Sequence, residues 1–213
     1  MIQKITPEDH RIMPWRNGQG STTELWVEPV GAGLDDFDWR ISCATVQADG
    51  DFSTFRGVDR SLLIMSGDGM NLNFNQQVTL TLTPESQVLS FVGEDHVHAG
   101  LLNGAVTDFN VMTRRGRWLH VLEKYTFDQT LSVCTPSDLL LIYHADGDVV
   151  EYMIDDDTLF LSRQELLRIE SGAAESDDVE SDDVEAADLE SGRIVLKSQG
   201  LSTLYVVHLK RRI

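Results

Sequence analysis

Trp39-Arg-Ile-Ser-Cys-Ala-Thr-Val46 decides the fold class. Successive side chains of an extended segment point to opposite sides. Trp39, Ile41 and Cys43 therefore share one face, and Arg40, Ser42 and Ala44 share the other. Outward from this stretch the same texture recurs. Ser61–Met65 is a short apolar run ended by the turn at Gly67-Asp-Gly69, and Asn71–Asn75 and Val78–Thr83 alternate. Gln87–Val92 stops at Gly93, and Asp108–Thr113 follows. In the second half Trp118–Tyr125, Gln129–Cys134, Leu139–His144, Val149–Met153, Thr158–Ser162, Arg193–Ser198 and Leu201–Leu209 read as strands. Leu139–His144 with Gly147 echoes Leu62–Ser66 with Gly67. Turns about every ten residues give the rhythm of a sandwich or barrel, so an all-β fold is predicted. Only Arg163–Glu170 has the spacing of a short helix.

The 213 residues suffice to bury a core without disulfides or metals. The formal net charge is −18, with ten acidic and no basic residues between positions 170 and 190. The remainder still carries 25 acids against 17 bases. A nucleic-acid backbone or an anionic membrane surface would require a basic stripe, so neither is an expected partner. Within the acidic stretch Glu175-Ser-Asp-Asp-Val179 repeats as Glu180-Ser-Asp-Asp-Val184. Such a like-charged, aromatic-free segment cannot bury enough apolar surface to offset its ordering entropy. A flexible loop at 171–190 is expected, and EF-hand spacing is missing. Cys43 and Cys134 form no CxxC pair, so a thiolate zinc site is not expected. The first fifteen residues lack the apolar run of a secretory signal, and no run of 18 apolar residues occurs. A cytoplasmic location is the expectation.

Met13-Pro-Trp-Arg-Asn-Gly-Gln-Gly-Ser-Thr-Thr-Glu24 is the least ordinary segment. Gly18 and Gly20 permit left-handed backbone or close approach to a ligand. Trp15, Arg16, Asn17 and Glu24 supply a flat wall, a cation, an amide and an acid, a set suited to a small polar molecule. The same residues also fit a glycine turn joining two edge strands. It is not a phosphate loop, since the Lys-Ser/Thr ending is absent. An inward Arg40, with Ser42 beside it, would need an acid or an anionic ligand as partner. Its planar fork suits a carboxylate; an outward, solvated Arg40 is the alternative. Asp49–Arg60 reads as a rim or as an ordinary connection anchored by Phe52 and Phe55. Asp108, Asn110 and Met112 share a strand face, with Asp108 a candidate partner for Arg40 or Arg114.

His96-Val-His98 has the spacing that places two imidazoles on one strand face. Metal-binding barrels of this kind follow such a pair with a Glu, whereas here Ala99-Gly-Leu-Leu-Asn103 follows. No metal and no cofactor are predicted. His10, His120, His144 and His208 are isolated, and no nucleophile elbow is present.

Met13–Leu25, Trp39–Val46, Asp49–Gly69 and Asp108–Gly116 resemble, in order, the motifs of the HutD/Ves family. The resemblance covers about residues 11–116; the second half is similar only in texture. It implies a bicupin, two cupin-like β-barrels or jelly rolls in one chain, without the metal-binding cupin signature. Residues 1–116 would form the N-terminal barrel and 117–213 the C-terminal one. HutD relatives are linked to histidine utilisation and to sensing an intermediate such as formylglutamate, and Ves relatives to stress induction. No enzymatic activity is established for the family. Carried onto this chain, the motif positions are Trp15, Arg16, Asn17, Gly18, Gly20, Glu24, Arg40, Ser42, Ser53, Phe55, Gly57, Asp59, Arg60, Asp108, Asn110 and Arg114, and all of these except Gly57 are the expected ligand-binding residues. Gln19 and Arg56 depart from the family's usual Gly and Pro.

The expectation is a non-enzymatic binder of a small anionic metabolite, with a homodimer as an open possibility. Arg40 would clamp a carboxylate, Asn17 and Ser42 would hydrogen-bond the remainder, and Trp15 or Phe55 would form a wall. The alternatives are a cupin-class enzyme and an interaction protein gripping a basic partner through its acidic loop. The enzyme would be a metal-dependent isomerase or dioxygenase using His96 and His98, or a metal-free acid/base catalyst using Glu24 or Asp108.

Overall fold

The computed structural model describes residues 1–134, 137–154, 157–170 and 193–212. The chain order begins with β1 (Ile2–Ile5), β2 (Arg11–Pro14), β3 (Gly20–Glu28), β4 (Trp39–Val46), β5 (Gly50–Asp51) and β6 (Val58–Ser66). It continues with β7 (Met70–Phe74), β8 (Val78–Leu82), β9 (Leu89–Val92), β10 (Val97–Leu101), β11 (Val106–Arg114) and β12 (Trp118–Cys134). The last strands are β13 (Leu139–Gly147), β14 (Val150–Ile154), β15 (Asp157–Leu161), β16 (Leu166–Glu170) and β17 (Arg193–Arg211). A single 3-10 turn, Pro7–Asp9, is the one helical element among the described residues, so the fold is all-β. No described helix is long and apolar enough to cross a membrane. The acidic stretch expected to be a flexible loop at 171–190 lies outside the described residues.

The chain divides into two compact units: Glu8–Val121 with Arg211–Ile213, and Met1–Pro7 with Leu122–Lys210. This differs from a boundary at 116/117. The first residues join the second unit because β1 pairs antiparallel with β16, Ile2 opposite Ile169 and Ile5 opposite Leu166.

In the first unit a six-stranded sheet runs β2-β3-β4-β11-β6-β9, and a four-stranded sheet runs β5-β10-β7-β8. Their apolar inner faces meet: Val46, Leu62, Ile64 and Val106 from the larger sheet pack with Met70, Leu72, Leu82, Val97 and Ala99 from the smaller. At a second cluster Val27, Phe37, Val58 and Met112 are buried, with Phe55 against them. Between these apolar patches the inner face of the larger sheet becomes polar, and the site lies there. The opposite face of β4 is also buried, with Trp39, Ile41 and Cys43 all inaccessible and Trp39 edge-on to Trp118.

The second unit has one sheet, β1-β16-β13-β17-β14-β15, with β12 added against β17. Its apolar core is built from Leu140, Ile142, Val150, Leu161, Leu167, Ile194, Leu204 and Val206 among others, with His144, Ser198 and Ser202 buried in the same unit. The helix expected at Arg163–Glu170 is not formed. Gln164 takes a left-handed φ of 67° in a tight turn, and Leu166–Glu170 is a strand held between β1 and β13. Its Leu-Leu-x-Ile pattern suits a helix face and a doubly buried strand alike, and pairing with sequence-distant strands decides between them. Two expected breaks are also absent: Trp118–Cys134 and Arg193–Arg211 are each continuous strands.

Candidate functional site

A cavity of about 580 Å³ opens in the Glu8–Val121 unit. Its floor is the polar patch of the large sheet. Pleating brings Arg40, Ser42 and Ala44 of β4 and Asp108, Asn110 and Met112 of β11 to one face, and the register sets them side by side. Arg40 is opposite Met112, Ser42 opposite Asn110, and Ala44 opposite Asp108. On the other side of β11, Arg60 of β6 lies opposite Met112. The walls come from the β2–β3 turn (Met13, Trp15, Arg16, Asn17, Gln19) and from Ala48–Phe55, with Leu34 completing the rim.

The floor concentrates charge in a buried place. Arg40, Arg60, Asp108 and Asn110 are 5%, 6%, 2% and 8% exposed. Of the two orientations open to Arg40 the inward one is found, and its Nε donates to Glu24 Oε2 at 2.6 Å, with Nη1 3.4 Å from Ser42 Oγ. Glu24 itself does not line the cavity; it acts through Arg40. A bulge in β3 between Glu24 and Trp26 sets Glu24 opposite Ser42 and Val27 opposite Arg40. Glu24, and not Asp108, is therefore the partner of Arg40.

Arg60 is held differently. Its guanidinium carbon lies 4.8 Å from the ring centre of Phe91, 5.5 Å from Phe52 and 5.6 Å from Phe55. Nη1 donates to the Ser53 carbonyl at 3.3 Å, and Nε has no partner. Burial lowers its pKa to about 10, partly offset by the nearby Asp108 charge, so it stays cationic at neutral pH. Burial pushes the Asp108 carboxyl up to about 7, against the pull of Arg60 and of the Ala44 backbone hydrogen bond. Asp108 Oδ1 and Asn110 Oδ1 also lack partners.

The Trp15–Gly20 segment is a hairpin turn and a cavity wall at once. Trp15 N donates to the Gly20 carbonyl at 2.9 Å and Gly18 N to the Trp15 carbonyl at 3.0 Å, while Trp15 Nε1 donates to Thr22 Oγ1. Gly18 has φ +70°, and a side chain on Gly20 would run into the Thr45 carbonyl and the Trp15 ring. Both glycines thus shape the turn without lining the cavity. The Asn17 amide is engaged within the turn, donating to Gln19 Oε1 and accepting from Gln19 N, each at 3.0 Å.

Among the expected positions, Trp15, Arg16, Asn17, Arg40, Ser42, Ser53, Phe55, Arg60, Asp108 and Asn110 line the cavity. Gly57, Asp59 and Arg114 do not. Arg114 stacks 5.1 Å over Phe37 and donates to the carbonyls of Asp35, Arg56 and Phe37, tying loops together. Asp59 and Glu94 take the Arg115 guanidinium between them, and Glu94 also accepts from Gly57 N. Met13, Pro14, Gln19, Thr22, Leu34, Ala44, Val46, Ala48 and Met112 also line the cavity without having been singled out as binding residues, while Gly50, Asp51 and Phe52 belong to the Asp49–Arg60 segment read as a rim; for Ala44 and Met112 the strand alternation carried the signal.

His98 Nδ1 lies 2.7 Å from Asp51 Oδ1, and His96 Nε2 lies 3.8 Å from Asp51 Oδ2, all three exposed. Among the described residues no group of three or more His, Cys, Asp or Glu is placed to hold a metal ion.

The HutD family pattern matches residues 7–186. A Pseudomonas putida protein named "Uncharacterized 21.2 kDa protein in hutC 3'region" is 34% identical over 169 residues, covering 79% of this chain and 87% of that one. Protein Ves of Citrobacter koseri is 39% identical over 113 residues, 51% of this chain and 58% of that protein. Among solved structures, a Pseudomonas aeruginosa PAO1 protein of unknown function superposes with a TM-score of 0.82 at 26% identity, covering 99% of each chain. HutD from Pseudomonas fluorescens SBW25, in a formate condition, gives 0.76 at 24% identity over the whole of both chains. A cupin 2 conserved barrel domain protein from Leptotrichia buccalis, at 9% identity and a TM-score of 0.53 over 89% of this chain and 88% of that one, shows the same kind of fold. With most of its length matched by one pattern and a relative above 30% identity across four-fifths of the sequence, this cupin-like chain belongs to the HutD family.

Proposed function

We propose that the chain is a binding protein for a small anionic metabolite, taken into the cavity of the Glu8–Val121 unit. The observation that carries this reading is the pair of buried arginines on the cavity floor. Arg40 is matched by the carboxylate of Glu24, but Arg60 keeps an unpartnered Nε beside a carboxyl group that burial drives toward neutrality. A ligand carboxylate would meet Arg60, with Arg40 and Ser42 alongside it. Trp15, Phe52 and Phe55 offer apolar walls to the rest of a molecule small enough for about 580 Å³. The Arg40–Glu24 pair shifts the clamp role from Arg40, where the sequence put it, to Arg60.

The family and the Pseudomonas putida relative in the hutC 3' region support a metabolite of histidine utilisation, of the formylglutamate kind, and a regulatory use of its binding. The test is a thermal melt against a panel of small carboxylates that includes formylglutamate and urocanate. A ligand at 100 times its Kd stabilises by about 2.7 kcal/mol, or roughly 5–10 °C for a chain of this size. Such a shift for one compound, lost in Arg60→Lys, supports the reading. A flat panel overturns it.

A further inference from the structure

The four-stranded sheet β5-β10-β7-β8 ends on β8, and among the described residues no strand pairs with its outer side. Val78, Thr79, Leu80 and Thr81 are all exposed, and only Leu82 is buried. An open edge strand presents unpaired N–H and C=O groups to any other strand, and folded proteins guard such edges with charge, proline or short length. The strands at the other sheet ends are guarded. Lys4 stands on β1, Arg11 and Pro14 on β2, Asp51 on the two-residue β5 and Asp157 on β15. Only the four-residue β9 shares with β8 the lack of charge and proline. β8 lies within Gly69–Pro84, sixteen consecutive residues without Asp, Glu, Lys or Arg, the longest such run in a chain of net charge −18. Copies of so acidic a chain repel one another, and an uncharged strip is where they can approach.

The edge is also held in shape. Asn75 and Gln76 take left-handed φ of 52° and 57° in the β7–β8 turn, a geometry that matches strand twist. Asn75 N donates to the His96 carbonyl and His96 N to Asn75 Oδ1, which ties the turn to the start of β10. Asn73 Nδ2 donates to Thr79 Oγ1, and Thr81 Oγ1 donates to Asn71 Oδ1. By strand alternation Val78 and Leu80, 51% and 41% exposed, share the face of the buried Leu82.

The order of residues along the strand identifies the partner. Gln77-Val-Thr-Leu-Thr-Leu-Thr83 runs polar, apolar, Thr, apolar, Thr, apolar, polar, the same in both directions about Leu80. Antiparallel pairing of this strand with itself, across a two-fold axis at Leu80, sets Leu80 against Leu80 of the second copy. It sets Thr79 against Thr81 and Val78 against Leu82. Every pair is apolar with apolar or Thr with Thr, the combinations that stabilise neighbouring strands. We propose that two copies of this chain associate β8 to β8, joining their four-stranded sheets into one continuous sheet. The contact uses the same patch on both copies, so it closes at a dimer. Five residues at about 3.4 Å each span only about 17 Å, which makes the dimer weak and concentration-dependent.

The test is analytical ultracentrifugation of the full chain from about 5 μM to about 1 mM, where a monomer–dimer equilibrium is expected. Leu80→Lys and Leu80→Glu each set like charges face to face on the two-fold axis and should weaken association by at least about 10-fold. An equal mixture of the two variants should regain the dimer, because opposite charges meet only where residue 80 faces residue 80. If either variant fails to fold, Leu80→Cys in a Cys134→Ser background takes their place, and mild oxidation should yield a disulfide-linked dimer. A chain that stays monomeric throughout, a dimer indifferent to charge at position 80, a mixture no more associated than its components, or no cross-link through position 80 overturns the proposal.

Discussion

Arg40 Nε and Glu24 Oε2 meet at 2.6 Å with both side chains almost wholly withdrawn from solvent. Neither charge is tolerable there without the other, because desolvation of an unmatched ion outweighs what packing recovers. Arg40→Met and Glu24→Leu are each expected to lower the unfolding free energy by about 3–5 kcal/mol. The double replacement should lose clearly less than the sum. Urea denaturation of the four proteins checks this, and additive losses would mean the two groups are not coupled.

The Asp108 carboxyl gives the stability of the fold an unusual pH slope. Its folded pKa is raised to about 7 from 3.8, so between those values the native state holds a proton that the unfolded chain has released. Its contribution is complete below about pH 4, is lost as pH rises toward 7, and is constant above that. Asp108→Asn removes this dependence. Between pH 4 and pH 8 the variant should gain on the parent by something on the order of 4 kcal/mol, read from denaturation midpoints across that range. A constant difference across the range contradicts the burial argument.

His120 behaves in the opposite sense. Burial lowers its pKa to about 4, and its ring nitrogens lie 2.7 Å from Thr113 Oγ1 and 2.9 Å from Ser61 Oγ. The unfolded ring takes up a proton first as pH falls, so this contribution is present above about 6.5 and disappears on acidification toward 4. The His120 resonances should show no titration between pH 8 and pH 5. A midpoint near 6.5 would refute the neutral, buried ring.

Arg114 holds three loop carbonyls and covers Phe37, none of which depends on a ligand. Arg114→Lys keeps the charge but loses the planar fork, at an expected loss of about 2 kcal/mol, or roughly 4–8 °C in Tm. Any ligand-induced increment in Tm should survive. Loss of the increment would return Arg114 to the binding site.

How far the sequence alone leads depends on the range of each interaction. The alternation in Trp39–Val46 and Asp108–Thr113 is local, and it groups Arg40 with Ser42 and Asp108 with Asn110; that the two pairs share one inward face comes from the pairing of β4 with β11. Which acid meets which arginine is not local. It depends on a bulge in β3 that moves the register past Glu24, and nothing in the residue pattern of β3 marks that bulge. Arg114 adjoins the other motif residues in the chain, yet a guanidinium serving backbone carbonyls looks the same in sequence as one awaiting a carboxylate. Leu166–Glu170 failed for a related reason, since its partners Ile2–Ile5 and Leu139–Tyr143 are far away in the chain.

The cavity draws its parts from places of very different rigidity. Asp108 and Asn110 sit on β11, flanked on both sides by paired strands, whereas Trp15–Gln19 and Ala48–Phe55 hang from the edges of their sheets. Substitutions in one rim turn or loop of this chain would therefore change which molecules are the right size to enter. The central strand would go on putting the same chemical question to each of them.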